Sequence, residues 1–206
     1  RVLAVAGAVY KGNDFPKQQQ QFEFVFKGLV AFYDPPKKNI GSVFRAFEDA
    51  GIAVKIITGD NEATTQTIAK QVNFTGADKC LDGESVHTMP DETLTAVVQQ
   101  VNIFTRMYPE AKLRVIEALK RNNEVVAMTG DGVNDGPALK SAHIGIAMGK
   151  KGTEIAKQAS SLILSDDDLA KMVDAVAMGR RIYSNLKKAI QYIISIHIPI
   201  ILTVFI

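Results

Sequence analysis

Residues 127–149 read AMTGDGVNDGPALKSAHIGIAMG, and the reading of this stretch decides the fold. An apolar run over 124–128 stops abruptly at Thr129-Gly130-Asp131-Gly132, the pair Asn134 and Asp135 follows, and a second apolar run covers 144–148. This is the pattern of a buried parallel strand, a loop that glycine permits, and a short helix feeding another strand. In open sheets of that kind, chemistry sits at the carboxyl ends of the strands. Asp131 and Asp135 stand four residues apart across the loop, a spacing that brings two carboxylates near one hard cation. Mg²⁺ takes oxygen ligands and is usually shared between such carboxylates and a phosphate. The plain alternative, an ordinary Asp/Gly/Asn turn, leaves unexplained why two acids and an amide crowd one strand end.

Outward from that stretch the alternation repeats. Residues 1–6 and 22–32 read as strands, separated by a polar connection over 10–21, and Tyr33-Asp34-Pro35-Pro36 closes the second. A helix over 40–50 with Val43, Phe44 and Phe47 inward leads to a strand at 53–57. That strand halts at Thr58-Gly59-Asp60-Asn61, where Asp60 or Asn61 caps a helix over 63–72. Further strands are expected at 78–81, 102–106 and 161–164, and helices at 89–100, 109–119 and 152–158, with Pro109 in the first turn of its helix. Asp166-Asp167-Asp168 suits a helix start. Together these predict an α/β fold, a Rossmann-like, mostly parallel sheet covered by helices.

From about residue 168 the pattern is helical to the end. Arg180, Arg181, Lys187 and Lys188 form a basic collar, and residues 189–206 carry no formal charge with His197 neutral. Eighteen mostly apolar residues without a formal charge, behind a basic collar, match a membrane-spanning helix entered from the cytoplasmic side. Pro199 inside the run frees a backbone carbonyl and is expected to kink or unwind the helix. His197, two residues earlier, is polar at a depth where polar groups need partners.

Composition removes other classes. The 206 residues suffice for one α/β domain plus an appendage, and the 47% apolar share is ordinary. A net charge of +2 without a basic aromatic stripe speaks against nucleic acid, and the one cysteine, Cys80, excludes a disulfide scaffold. No charged n-region with a cleavage site opens the sequence, so no signal peptide is expected in it, and both ends fall inside patterned runs, the expectation for a piece of a longer protein.

Three strand-end features supply the parts of phosphoryl transfer. Thr58 and Gly59 offer a hydroxyl proton and a closely approaching amide, Lys112 offers a cation, and Asp131 with Asn134 and Asp135 offers ligation. A nucleophile with matching strand-end context is missing, as is any Walker pattern.

The stretch MTGDGVNDGPALKSAHIGIAMG, with ITGDN at 57–61 and DPPK at 34–37, resembles the P-type cation-transporting ATPases, calcium-pump branch, whose phosphorylation domain is of the haloacid-dehalogenase-like type. The resemblance covers essentially the whole chain. It implies that residues 1–21 are the end of a nucleotide-binding domain with its return linker. Residues 22–167 would then be the carboxyl-terminal part of the phosphorylation domain, and 168–206 a stalk leading into the fifth transmembrane helix. It implies Mg²⁺ and ATP as cofactors. The implied partners are the nucleotide-binding, actuator and other transmembrane parts of the same polypeptide, a transported cation and the lipid bilayer.

Residue by residue, the resemblance makes Asp131 the Mg²⁺ carboxylate. Asn134 and Asp135 would shape the phosphate pocket, Asp135 orienting water or ligands. Thr58, Gly59 and Asp60 would form a loop touching phosphate, and Lys112 would neutralise the aspartyl phosphate. Arg106, Asp34 and Arg1 would contact nucleotide. The family's phosphorylated aspartate, in a DKTGT motif, is absent, so the fragment alone is expected not to complete the cycle. Lys37 stands where many calcium pumps have arginine, and His197 and Ile200 where they place an asparagine and a glutamate. Three other readings stay open: a soluble phosphatase of the same superfamily, a P-type pump for another cation, and a non-catalytic regulatory domain.

Overall fold

The computed structural model describes residues 2–12, 14–32 and 35–205; the expected nucleotide contacts Arg1 and Asp34 lie outside the described residues. The chain divides into two compact units, residues 1–37 and 38–206. In the first, β1 (Val2–Gly7) pairs antiparallel with β2 (Val25–Ala31), with a bulge between Val5 and Ala6. The intervening segment is less plain than its glutamines suggested, because Tyr10, Phe15, Phe22 and Phe24 form a run of ring contacts with centroids 5.3–6.2 Å apart.

The second unit is the α/β part. Here α1 (Ile40–Asp49), β3 (Ile56–Ile57), α2 (Glu62–Gln71), β4 (Cys80–Asp82), α3 (Gly83–Thr88), α4 (Asp91–Gln100), β5 (Ile103–Thr105) and α5 (Pro109–Arg121) alternate as expected. They are followed by β6 (Ala127–Gly130), a 3₁₀ turn over Val133–Asp135, α6 (Gly136–Ser141), β7 (Ile144–Met148), α7 (Glu154–Ala159), β8 (Leu162–Leu164) and α8 (Ala170–Phe205). All strand pairings in this unit are parallel, the sign of crossover connections through helices. They form two three-stranded sheets, in the orders β3-β5-β4 and β6-β7-β8, where the alternation alone had suggested one. Among the described residues β3 and β6 each have a partner on one side only.

Helix α5 joins the two halves. Its Val115 and Ala118 belong to a core with Val86, Leu94, Val98 and Phe104, and its Ile116 to a core with Val126, Met128, Leu139 and Ala147. Ile57 and Leu119 pack against both. Fully burying such side chains is worth about 1.5–3 kcal/mol each, so α5 is anchored on both sides. Its first turn is where Lys112 sits.

Two local readings need correction, and one open alternative is settled. Helix α3 was not expected; Asp82 caps it, accepting 2.7 Å from the Ser85 amide, which also lowers the Asp82 carboxyl below its ordinary value. Its exposed carbonyls are taken by Arg114, which donates to Val86 at 2.6 Å, to His87 and to Met89 at 2.7 Å. Asn61, not Asp60, caps α2, accepting 2.9 Å from Thr64. The acidic triplet does not begin α8: Asp167 lies in a turn at φ 57° and is buried, and α8 starts at Ala170 with Asp168 capping its amide at 3.0 Å.

Helix α8 runs 36 residues through Pro199 without a break in its assignment, and none of its residues is buried. The neighbouring polar groups turn inward on the helix itself: His197 Nδ1 lies 2.8 Å from the Ile193 carbonyl, and Thr203 donates to the Pro199 and Ile200 carbonyls. It is the one helix among the described residues long and apolar enough to cross a membrane.

Candidate active site

Strand β6 delivers Asp131 to its carboxyl end, and the loop that follows is built around Asp135. That side chain is buried, and its Oδ1 accepts 2.6 Å from Lys112 Nζ. Its Oδ2 accepts from the amides of Asp131 at 3.3 Å and Gly132 at 3.1 Å. Gly130 is required here, since a Cβ would stand 2.6 Å from that of Asp135. Lys112 and Asp135 have side chains 13% and 10% exposed, so each is the other's main compensation for leaving water. Charge-assisted bonds to two amides and an ammonium hold the turn closed.

Both Asp135 oxygens thus accept hydrogen bonds within the loop, Oδ1 from Lys112 and Oδ2 from two backbone amides. Asp131 is different: exposed, with no bond to its carboxylate among the described residues. Among the described residues no cluster of three His, Cys, Asp or Glu side chains forms a metal cage. One open carboxylate at a strand end suits Mg²⁺, which keeps several waters and completes its shell with phosphate oxygens.

The second loop, residues 58–60 after β3, is secured through main chain. Thr58 N donates to Phe104 O at 2.9 Å, Met107 N to Thr58 O at 2.9 Å, and Arg106 N to Asp60 O at 2.8 Å. Thr58 Oγ1 accepts from the Asp60 amide at 3.1 Å, which leaves the hydroxyl proton to donate elsewhere. Gly59 is exposed, and a Cβ there would meet only Met107 O at 3.8 Å, so the fold does not ask for glycine at this position. What glycine provides is room for backbone approach by another group.

The loops are linked through α5. Met107, tied to Thr58, precedes Pro109 by two residues, and Lys112 in the first turn reaches Asp135. Arg106 sits at φ 50°, exposed, and with Asn61, Glu62, Ala63 and Gln66 lines an open hollow of about 360 Å³ beside residues 58–60. Asn134 is exposed on the 3₁₀ turn next to Asp131. Reading the residues in order found Lys112 and Asp135 but not their ion pair, because 23 residues separate them.

A family model described as haloacid dehalogenase-like hydrolase matches residues 10–143. The chain belongs to the haloacid dehalogenase-like hydrolases. Within them it is similar to the calcium-transporting ATPase of Bacillus subtilis (strain 168), 39% identical over 204 residues, 98% of this chain and 23% of that protein. It is 42% identical over 201 residues to the cation-transporting ATPase pma1 of Synechocystis sp., covering 96% of this chain and 22% of the relative. The chain thus spans less than a quarter of the length of these curated relatives. Among solved structures it resembles one described as the catalytic domain of the CPx-ATPase CopB-B, with TM-score 0.52 and 24% identity over 75% of this chain and 48% of that one, a likeness of fold. For a haloacid dehalogenase-like hydrolase, the Asp131 and Thr58 loops are both at the carboxyl ends of parallel strands, where such sheets hold their chemistry.

Proposed function

We propose that this chain is the phosphoryl-transfer part of an ATP-driven cation pump that works through an aspartyl phosphate. The observation that carries the reading is the arrangement around Asp131: one open carboxylate beside a buried Lys112–Asp135 pair, at the end of a parallel strand. Bound Mg²⁺ would offset the charge of the transferred phosphoryl group. Asp131 would hold that ion, with Asn134 bordering the same pocket. Asp135 fixes the turn and keeps Lys112 in place, and the remaining Nζ protons of Lys112 are directed to phosphoryl oxygens. The Thr58 hydroxyl and the Gly59 amide donate to the same group, and Asp60 holds that loop against Arg106. The role given to Asp135 by resemblance, orienting water, gives way in this proposal to positioning, since both its oxygens are engaged.

The nucleophile is the part these residues do not supply. Strands β3 and β6 each present an unpaired edge among the described residues, and both carry a loop of the site. We assign the nucleophilic aspartate to a strand of the longer polypeptide that lies parallel between them and joins the two sheets. In this reading Arg106 and its hollow face the nucleotide, and Asp34 and Arg1 keep the nucleotide roles that the resemblance implies. Residues 1–21 close the nucleotide-binding domain, 22–167 belong to the phosphorylation domain on the cytoplasmic side, and 168–206 form the stalk and membrane span.

The similarity to calcium-transporting ATPases makes Ca²⁺ the leading cation. Ile200 has no side-chain oxygen, and the His197 ring is engaged within its own helix, so in this reading most ligands come from other membrane segments. The test is ATP hydrolysis by the full-length membrane protein, screened across Ca²⁺, Na⁺, K⁺, Mn²⁺ and protons. Stimulation by one cation with an acid-stable phosphoenzyme is expected; hydrolysis of small phosphate esters without a phosphoenzyme or cation dependence would favour a simple phosphatase instead.

A further inference from the structure

Between the Asp131 loop and the long helix lies a clasp that the phosphate chemistry does not use. Thr153 N donates 2.8 Å to the backbone carbonyl of Asp131, so the segment after β7 touches the site directly. The same segment is gripped from its other side by Asp167, whose Oδ1 accepts from Lys150 N and Oδ2 from Lys151 N, both at 3.0 Å. Gly149 N donates 2.8 Å to Leu164 O, which also accepts from Asp167 N at 3.1 Å. A Cβ on Gly149 would stand 2.7 Å from Leu164 O, so the two strands of chain touch backbone to backbone there, and one on Gly152 would collide with Met148 O within the turn itself. Asp167 is buried and held at φ 57°, a conformation non-glycine residues adopt at some expense. Three residues later α8 begins.

We propose that Asp167 is the positioning residue through which the Asp131 loop sets the start of α8. The inference rests on the phosphate-site reading above. A carboxylate receiving one amide on each oxygen is a rigid two-point link, stronger than a neutral bond. A shift of the Asp131 backbone is passed by Thr153 to residues 149–152, and by Asp167 to the turn from which α8 departs. Asp168 offers a contrast: it caps the Ala170 amide and is not bonded to residues 149–152. Replacing Asp167 by Asn leaves one acceptor and turns an NH₂ towards the second amide, which breaks the link at one point with little change of volume.

The experiment is hydrogen exchange on the full-length membrane protein, with and without Mg²⁺ plus orthovanadate as the phosphate probe. In the wild type, exchange slows over 130–135 and, by roughly tenfold or more, over 170–176; losing a charge-assisted bond removes about that factor. In D167N the slowing over 130–135 persists, which shows that the variant is folded and binds the probe, while 170–176 changes less than about twofold. D168A, which weakens only the cap, keeps the coupled response. Slowing over 130–135 without any at 170–176 in the wild type overturns the proposal, even if D167N fails to accumulate. So does a coupled response surviving in D167N, or one lost equally in D168A. No slowing over 130–135 in the wild type overturns the phosphate-site reading and this inference with it.

Discussion

The loop at 130–135 and the loop at 58–60 both close the end of a parallel strand, yet they are held in opposite ways. The first is wrapped around a buried ion pair, Lys112 with Asp135, and collapses its turn onto that carboxylate. The second has no buried charge of that kind in its frame and is stitched to residues 104–107 by main-chain bonds. In the first loop one acid serves the fold, and the neighbouring acid, Asp131, is exposed with no bond to its carboxylate among the described residues, which is why we propose it for the chemistry. In the second, most of the hold comes from main-chain atoms, with the Thr58 hydroxyl oxygen adding one bond to the Asp60 amide. The difference says which substitutions should hurt stability and which should hurt only activity.

Removing Asp135 should have the largest effect on folding. D135A strands a buried ammonium and frees two amides, and a loss of about 3–5 kcal/mol is expected. Denaturant unfolding of the chain in detergent measures it, and a loss no greater than that of Asp131 variants would erase the contrast between the loops. K112M should cost less, about 2–3 kcal/mol, because the Asp131 and Gly132 amides still satisfy one oxygen of Asp135. T58V removes one acceptor for the Asp60 amide and should cost about 1 kcal/mol. D131N should lie within about 0.5 kcal/mol of the parent, as an exposed side chain without a partner among the described residues.

A smaller effect follows from pH. Arg114 and then Arg121 hold the Asp91 carboxyl below its ordinary value of 3.8. A depressed folded-state pKa contributes stability that is fully present above the unfolded value and lost as pH falls through the folded one. The advantage of the parent over D91N should therefore be constant near neutrality and fade below about pH 4. Asp91 is exposed, so the advantage is slight.

Much of the architecture was legible because it is local. Thr58-Gly59-Asp60 and Asp131-Gly132 each interrupt an apolar run, and Pro109 marks the start of α5; periodicity and turn chemistry carry that information. The membrane-type helix was legible for the same reason, as a run of composition. What stayed hidden depends on pairing across the chain. No pattern near Lys112 names Asp135 as its partner, and none announces that β3 and β6 each leave an edge open among the described residues. Asp167 looked like a helix-start acid by position, whereas its carboxylate serves amides 16 and 17 residues away. Helix α3 escaped because six residues hold too little periodicity, although Asp82 three positions before Ser85 was a usable capping signal.

The central claim is that Asp131 is chemistry and not scaffold. The direct measurement is phosphoenzyme formation from ATP by the full-length protein carrying D131N, titrated with Mg²⁺ and read beside its unfolding curve. The predicted result is an unchanged unfolding midpoint with phosphoenzyme reduced at least about a hundredfold at ordinary Mg²⁺, the size expected when one charged group is taken from a phosphoryl-transfer site. Phosphoenzyme at parent levels, in a protein as stable as the parent, would contradict the account.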